Sequence, residues 1–373
     1  MKGAIQRIFQ EHGDRYIAEN RDRLTAQHIK TIHAIQHCGT PAAGWLVFDC
    51  ADCAAPHPIE RSCGNRLCPT CQHGKGGEWL DRRLAEQLPT HYFMITFTVP
   101  QELHPLLLHE PQAGYTALFD AASAALKRLA ADPRHLGADL PGFFGVLHTW
   151  GRTLQYHPHI HFVVPGGGLD KASGLWRSSR ESFYAPGQAL SKVFKGVFAE
   201  RMRAANLHHH IDPAVWRKKW VVDSQAVRQN GKGVLVYLAP YVFRTAITDS
   251  RILSDQNGSV TFSYVKSGSR RSRKMTLGTM EFIRRYLLHV LPFGFMRIRR
   301  YGFMGSGCRV PHEELVALVC SAGACETSPI EHTPRTKAPF RCPACGGPLR
   351  CRAVLGPTGN VLAVHRPAVT QRE

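Results

Sequence analysis

Residues Gln155–Gly168 read QYHPHIHFVVPGGG, and the fold turns on this stretch. His159 and His161 flank Ile160, so on an extended strand of period two both imidazoles leave one face while Ile160 enters the core. Upstream, Phe143–Trp150 (FFGVLHTW) is a second strand candidate, and the short polar segment between them predicts an antiparallel hairpin. Two imidazoles side by side on a strand are an incipient divalent-metal site. In a chain with 21 histidines such a pair is also compatible with ordinary surface, so the decision rests on its surroundings.

Working outward, apolar spacing predicts a helix over 4–36, a short helix over 77–88 and a strand over 91–100 ended by proline. Further on, 188–205 and 234–246 read as helices. Val260–Val265 and Arg273–Leu277 read as a hairpin across the basic turn 266–271, 280–291 as helix, and 295–303 as strand. Beyond about Gly305 the chain turns rich in Pro, Thr, Gly and Cys, which marks a tail or a small appended module. Strands joined by short turns and mixed with separate helices predict the α+β class. Within 234–246, Tyr237 and Tyr241 are four residues apart, so both hydroxyls can share one helix face. Taken alone, such a pair is as readily two core aromatics.

A chain of 373 residues can bury a substantial core and is long enough for two or three units. Its 43% hydrophobic content excludes disorder, and no apolar run approaches a membrane span. The first 23 residues are polar and mixed in charge, unlike a secretory signal, so a cytoplasmic protein is expected. A formal charge of +19 predicts a polyanionic partner, with nucleic acid the economical choice.

Twelve cysteines in a reducing compartment predict metal binding instead of disulfides. Six lie between Cys38 and Cys71 and six between Cys308 and Cys351. Cys50-x-x-Cys53 and Cys68-x-x-Cys71, with fourteen residues between the pairs, have the spacing of two knuckles closing on one zinc ion. Cys38, Cys63 and His73 are left as packing groups or part of a second site. Cys342-x-x-Cys345, with Cys351 and Cys320 or Cys325, is a candidate for a further knuckle.

Histidine strand and tyrosine helix together resemble the HUH endonucleases. The ordered set SCGNRLCPTCQ (Ser62–Gln72), HPHIHFVVPGGG (His157–Gly168), YLAPYVFRTAI (Tyr237–Ile247) and FIRRYLLHVLPFGFMRIRRYGF (Phe282–Phe303) is similar to the two-tyrosine transposases of rolling-circle insertion sequences and their common-region relatives. The resemblance implies a central antiparallel sheet flanked by helices, preceded by a helix and a zinc-binding module and followed by a Cys-containing tail. It divides the chain into an N-terminal helical segment (1–37), the zinc module (38–75), a tyrosine nuclease domain (76–305) and the tail (306–373).

The resemblance further implies Tyr237 and Tyr241 as nucleophiles and His159 and His161 as ligands of Mg²⁺ or Mn²⁺. His148, on the partner strand eleven residues before His159, is the first choice for a third ligand, ahead of Gln155, His157 and the run His208–His210. Pro240 departs from the family's usual basic residue, and either starts the helix near Tyr237 or kinks it between the tyrosines. GTPAAG (Gly39–Gly44) likewise replaces an arginine and a glycine-rich turn.

The implied partner is single-stranded DNA at transposon ends and target. Host helicase or replication machinery would do the unwinding, since no GxxxxGK[ST] loop is present. Ten basic residues against one acid between 266 and 303 fit a phosphate-tracking surface: Lys266, Arg270, Arg271, Arg273, Lys274, Arg284, Arg285, Arg297, Arg299 and Arg300. Tyr264, Tyr286 and Tyr301 are candidates to stack bases. Two alternatives remain at this point: a replication-initiator or relaxase-like nickase of the same chemistry, and a zinc-dependent DNA-binding regulator without catalysis.

Overall fold

A computed structural model describes residues 3–72, 75–227, 246–266, 268–323 and 340–364, with 75–78 described by backbone alone. The chain divides into two compact units, neither continuous in sequence. The first comprises Met1–Lys75, Phe243–Val290 and Pro334–Glu373, the second Gly76–Val242 and Leu291–Thr333. Helices and antiparallel sheets make both, which is the α+β class.

With elements numbered along the whole chain, the first unit opens on α1 (Ala4–Glu19) and α2 (Ala26–His37), where the periodicity predicts one helix. The break comes from Thr25. Its side chain accepts from the His28 backbone N–H at 3.3 Å, while His28 Nδ1 accepts from the Thr25 N–H at 3.2 Å, a reciprocal cap that starts a new helix. Ile5, Ile8, Phe9, Ile32 and Ile35 are buried, and α9 (Thr279–Leu287) adds Phe282, Ile283 and Tyr286. Phe9 meets Tyr286 edge-on at 5.3 Å, and the Tyr286 hydroxyl donates to the carbonyl of Leu67.

Two sheets complete this unit. One has the order β15-β14-β1-β2, built from β1 (Trp45–Cys50), β2 (Pro56–Glu60), β14 (Leu349–Leu355) and β15 (Val361–Val364). The expected tail therefore supplies half of an N-terminal sheet. Gly44, at φ +85°, makes the junction possible, because a Cβ there would lie 2.2 Å from the Leu355 carbonyl oxygen. The other sheet joins β10 (Ile252–Gln256), β11 (Ser259–Val265) and β12 (Ser272–Gly278), and contains the predicted basic-turn hairpin. The short α3 (Pro69–Gln72) carries Cys71.

In the second unit five strands pair antiparallel in the order β13-β5-β6-β3-β9: β3 (Tyr92–Thr98), β5 (Phe143–Trp150), β6 (Tyr156–Pro165), β9 (Val221–Val227) and β13 (Ile298–Tyr301). The predicted β5–β6 hairpin is present, with His148 opposite His159. Period-two alternation sends Ile95, Phe97, Leu147, Ile160 and Phe162 to one face, where all are fully buried. Helices α6 (Pro111–Ala131) and α7 (Gly187–Ala204) cover it, Phe194 of α7 meeting Phe97 at 5.1 Å. The opposite face is left for the histidines.

Around this sheet lie α4 (Lys75–Ala85), α5 (His104–His109), α8 (Pro213–Arg217) and a small sheet of β4 (Leu140–Pro141), β7 (Gly167–Asp170) and β8 (Leu175–Ser178). α10 (His312–Ser321) packs Leu315 and Val319 with Leu88, Trp176 and Phe303.

Candidate active site

On β6, His159 and His161 lie on one face, and the register places Val146 and His148 of β5 beside them, with Thr96 and Thr98 of β3 on the other side. One ring nitrogen from each of His148, His159 and His161 falls within 4.8 Å of the other two. Those donors fit a divalent ion of the borderline class that imidazole suits. Two of the rings are oriented by neighbours. His159 Nδ1 donates to the His157 carbonyl at 2.7 Å, which fixes the tautomer and leaves Nε2 for a ligand. His161 Nδ1 lies 2.8 Å from the Thr96 hydroxyl, which again leaves Nε2.

Burial favours the neutral form of His159 and His161. Desolvation, reinforced by His161, holds His159 down to about 3, and desolvation with a contribution from His157 holds His161 at about 4. Neutral imidazole is the form that binds metal. Desolvation first, then His157, also lowers His104 to about 4.

The hairpin carries an irregularity beside the site. Register runs from His148↔His159 to Trp150↔Tyr156, so His157 and Pro158 together oppose Thr149. A bulge there suits Pro158, which has no N–H to give the ladder. His157 lies next to His159, with ring centroids 5.1 Å apart, but outside the three-histidine cluster. Gln155 is turned into the β5–β6 loop, where its Oε1 accepts from the Thr153 N–H at 3.1 Å. His208 stacks on Trp216 at 5.1 Å, and His208–His210 form a short turn. Thr96 is a site neighbour that sequence reasoning missed. Its signal was available in the alternation of 91–100, which puts Thr96 and Thr98 on the polar face.

The cysteines regroup. Cys50, Cys53, Cys68 and Cys71 do not meet at one point: Cys68 and Cys71 join Cys38 and Cys63, while Cys50 and Cys53 face Cys342 and Cys345. The spacing within each pair was informative, but it says nothing about which pairs meet, and β1–β14 pairing brings the C-terminal knuckle to the N-terminal one. In the first quartet Sγ–Sγ separations are 3.6 Å for Cys38–Cys71 and 3.5 Å for Cys63–Cys71. Backbone N–H groups of Cys63, Gly64 and Asn65 point at its sulfurs. A thiol bond from Cys63 lowers Cys38 to about 7, toward the thiolate that zinc requires.

Comparison with known proteins identifies the family. The family described as "Transposase zinc-binding domain" matches residues 8–99, and the family described as "Putative transposase" matches 142–311. The chain is 35% identical over 367 residues to "Putative transposase y4qJ" of Sinorhizobium fredii, covering 91% of this chain and 92% of that protein. This chain belongs to the IS91 family of insertion-sequence transposases. It is also 27% identical over 375 residues to the transposase for insertion sequence element IS801 of Pseudomonas savastanoi pv. phaseolicola, covering 92% of this chain and 88% of the relative. No solved structure matches it.

Being a transposase, the protein acts on DNA, and the zinc-domain match together with the cysteine clusters supports structural zinc. No helix among the described residues is long and apolar enough to cross a membrane. Tyr237, Pro240 and Tyr241 lie outside the described residues, as do His73 and Cys325.

The basic residues of this transposase are split between its units. Arg270, Arg271, Arg273 and Lys274 are exposed at the β11–β12 turn and the start of β12. On α9, Arg284 Nε and Arg285 Nε each donate to Glu281 at 2.6 Å, which pulls its carboxyl down to about 2. In the second unit Arg300 pairs with Glu86 at 2.6 Å. The Arg299 guanidinium lies over Phe119 and Phe295, 4.5 and 5.1 Å from the ring centroids. Tyr286 is buried and cannot stack on a base, and Tyr301 stacks on Phe143 at 5.1 Å.

Proposed function

We propose that this transposase nicks and rejoins single-stranded DNA through a tyrosine-linked intermediate, as expected of a rolling-circle element. The single observation carrying this reading is the convergence of His148, His159 and His161 on one face of the central sheet in a chain of this family. Three imidazole nitrogens alone favour a borderline transition metal, and the family resemblance points to a more loosely held Mn²⁺ or Mg²⁺ that would take its remaining ligands from water and phosphate. Once bound, such an ion supplies Lewis-acid polarisation of a phosphate oxygen.

The rest falls to the chain's own groups. The His157 carbonyl and the Thr96 hydroxyl hold two imidazoles in their ligating orientation, so little reorganisation accompanies binding. A tyrosine hydroxyl, from Tyr237 or Tyr241, loses its proton and attacks phosphorus as the bond to the 3′ oxygen breaks, leaving a 5′-phosphotyrosine and a free 3′-hydroxyl. The tyrosyl ester keeps the energy of the original linkage, so a 3′-hydroxyl can reverse the step on another strand without ATP. With two tyrosines, one holds a cleaved end while the other cuts.

His159→Ala and His161→Ala should each abolish nicking of a single-stranded oligonucleotide while leaving its binding within about threefold, since the charges that govern affinity are elsewhere. Metal-dependent nicking by the double variant, measured on a denaturing gel, would defeat the reading.

A further inference from the structure

We propose a second zinc centre, held by Cys50, Cys53, Cys342 and Cys345, that joins the N-terminal module to a segment 289 residues further along the chain. The matched zinc-binding domain ends at residue 99 and so cannot contain it whole. The inference is also independent of the strand-transfer reading.

Geometry is the first support. All four sulfurs lie within 4.8 Å of one another, with Cys50–Cys345 at 3.4 Å and Cys53–Cys342 at 3.7 Å. A tetrahedron of thiolates about 2.3 Å from zinc has edges of about 3.8 Å. A disulfide would bring its sulfurs to about 2.05 Å.

The two knuckles are built alike, which is the second support. In the N-terminal one the Ala54 N–H donates to the Cys50 carbonyl at 3.1 Å and the Cys50 N–H to the Ala55 carbonyl at 3.1 Å. In the C-terminal one the Gly346 N–H donates to the Cys342 carbonyl at 2.8 Å and the Cys342 N–H to the Gly347 carbonyl at 2.8 Å. The residue after each second cysteine has positive φ, +58° at Ala54 and +76° at Gly346. Alanine rarely adopts that conformation, so its presence at the equivalent place argues that the turn is held by what it carries.

Apolar packing between the two ends is a single small patch, where Phe48 meets Phe340 at 5.5 Å beside the buried Val47 and Ala353. Every residue of β15 is exposed, as is most of β2. Register adds the ladder between β1 and β14, with Cys50 opposite Leu349, and an Asp49–Arg352 ion pair at 3.3 Å. In sheets this thin, metal binding supplies the missing folding energy. His57 Nε2 lies 3.2 Å from the Cys342 sulfur, placed to donate to a zinc-bound thiolate.

The test is alkylation of the full-length, zinc-loaded protein with iodoacetamide and mapping of each cysteine by mass spectrometry. Cys308 and Cys351, outside both quartets, serve as reactive references. Cys53 and Cys345 are exposed, yet the proposal expects both to be protected at least tenfold relative to Cys351, and to lose protection together with Cys50 and Cys342 as a chelator is titrated. Cys345→Ser should lower bound zinc by one equivalent and unprotect Cys50, Cys53 and Cys342, leaving Cys38, Cys63, Cys68 and Cys71 protected. If that variant loses protection at all eight positions, the wild-type chelator titration decides: release in the two stated quartets upholds the proposal, and release of Cys342 and Cys345 independently of Cys50 and Cys53 overturns it. Labelling of Cys53 and Cys345 as fast as Cys351, or unchanged zinc content in Cys345→Ser, also overturns it.

Discussion

At the scale of single residues, Thr96 shows how the site depends on groups that ligate nothing. Its hydroxyl, 2.8 Å from His161 Nδ1, orients a ring whose other nitrogen is left for the proposed metal. Thr96→Val keeps the shape of the side chain and removes the bond, and losses of this kind cost about 10–100-fold in metal affinity. The Mn²⁺ concentration giving half-maximal nicking should rise by that factor, with an unchanged value showing that strand geometry alone holds the ring. The same histidines carry a pH signature. Folding lowers His159 to about 3 and His161 to about 4, below the unfolded value of about 6.5. As pH falls below about 6.5 the unfolded chain takes up protons that the folded one refuses, so stability drops between about 6.5 and 4 and is unaffected above. Without added Mn²⁺, wild-type thermal midpoints should fall more steeply over pH 6.5 to 5 than those of His159→Gln/His161→Gln; parallel slopes would contradict the burial argument.

At the scale of elements, legibility followed the range of the interactions. The β5–β6 hairpin was readable because period-two alternation is local, and so His148 could be put on the strand beside the histidine motif, while its register opposite His159 comes from the fold. The split of α1 from α2 was not, since the reciprocal cap at Thr25 uses His28 where the recognisable pattern has Glu or Gln. Helix α6 escaped because its alanine-rich run is buried on several sides, from Ala117 through Ala125, which blurs the one-face signal. Zinc knuckles were visible as pairs, but their partners were not, because β1 and β14 meet across nearly the whole chain. The basic hairpin β11–β12 gives a prediction at this level. Replacing Arg270, Arg271, Arg273 and Lys274 with serine leaves the core untouched, since all four are exposed. Each phosphate contact contributes a salt slope of about 0.7 for single strands, so log Kobs against log salt should flatten by up to about 3. An unchanged slope would remove this hairpin from the DNA surface.

At the scale of the molecule, a charge of +19 is distributed over two units assembled from interleaved segments of chain. The first unit gathers both cysteine quartets and the exposed basic hairpin, and the second carries the three-histidine face. The division into units assigns the stretch of sequence bearing Tyr237 and Tyr241 to the second unit, with the three histidines. The central claim is that one of these tyrosines becomes covalently joined to DNA in a reaction that needs the histidines. Its most direct measurement is denaturing capture of the protein on a labelled single-stranded oligonucleotide with Mn²⁺, followed by peptide mapping of the adduct. The account predicts an adduct on Tyr237 or Tyr241, absent from Tyr237→Phe/Tyr241→Phe and from His159→Ala/His161→Ala; an adduct that persists in either double variant, or maps to another residue, would contradict it.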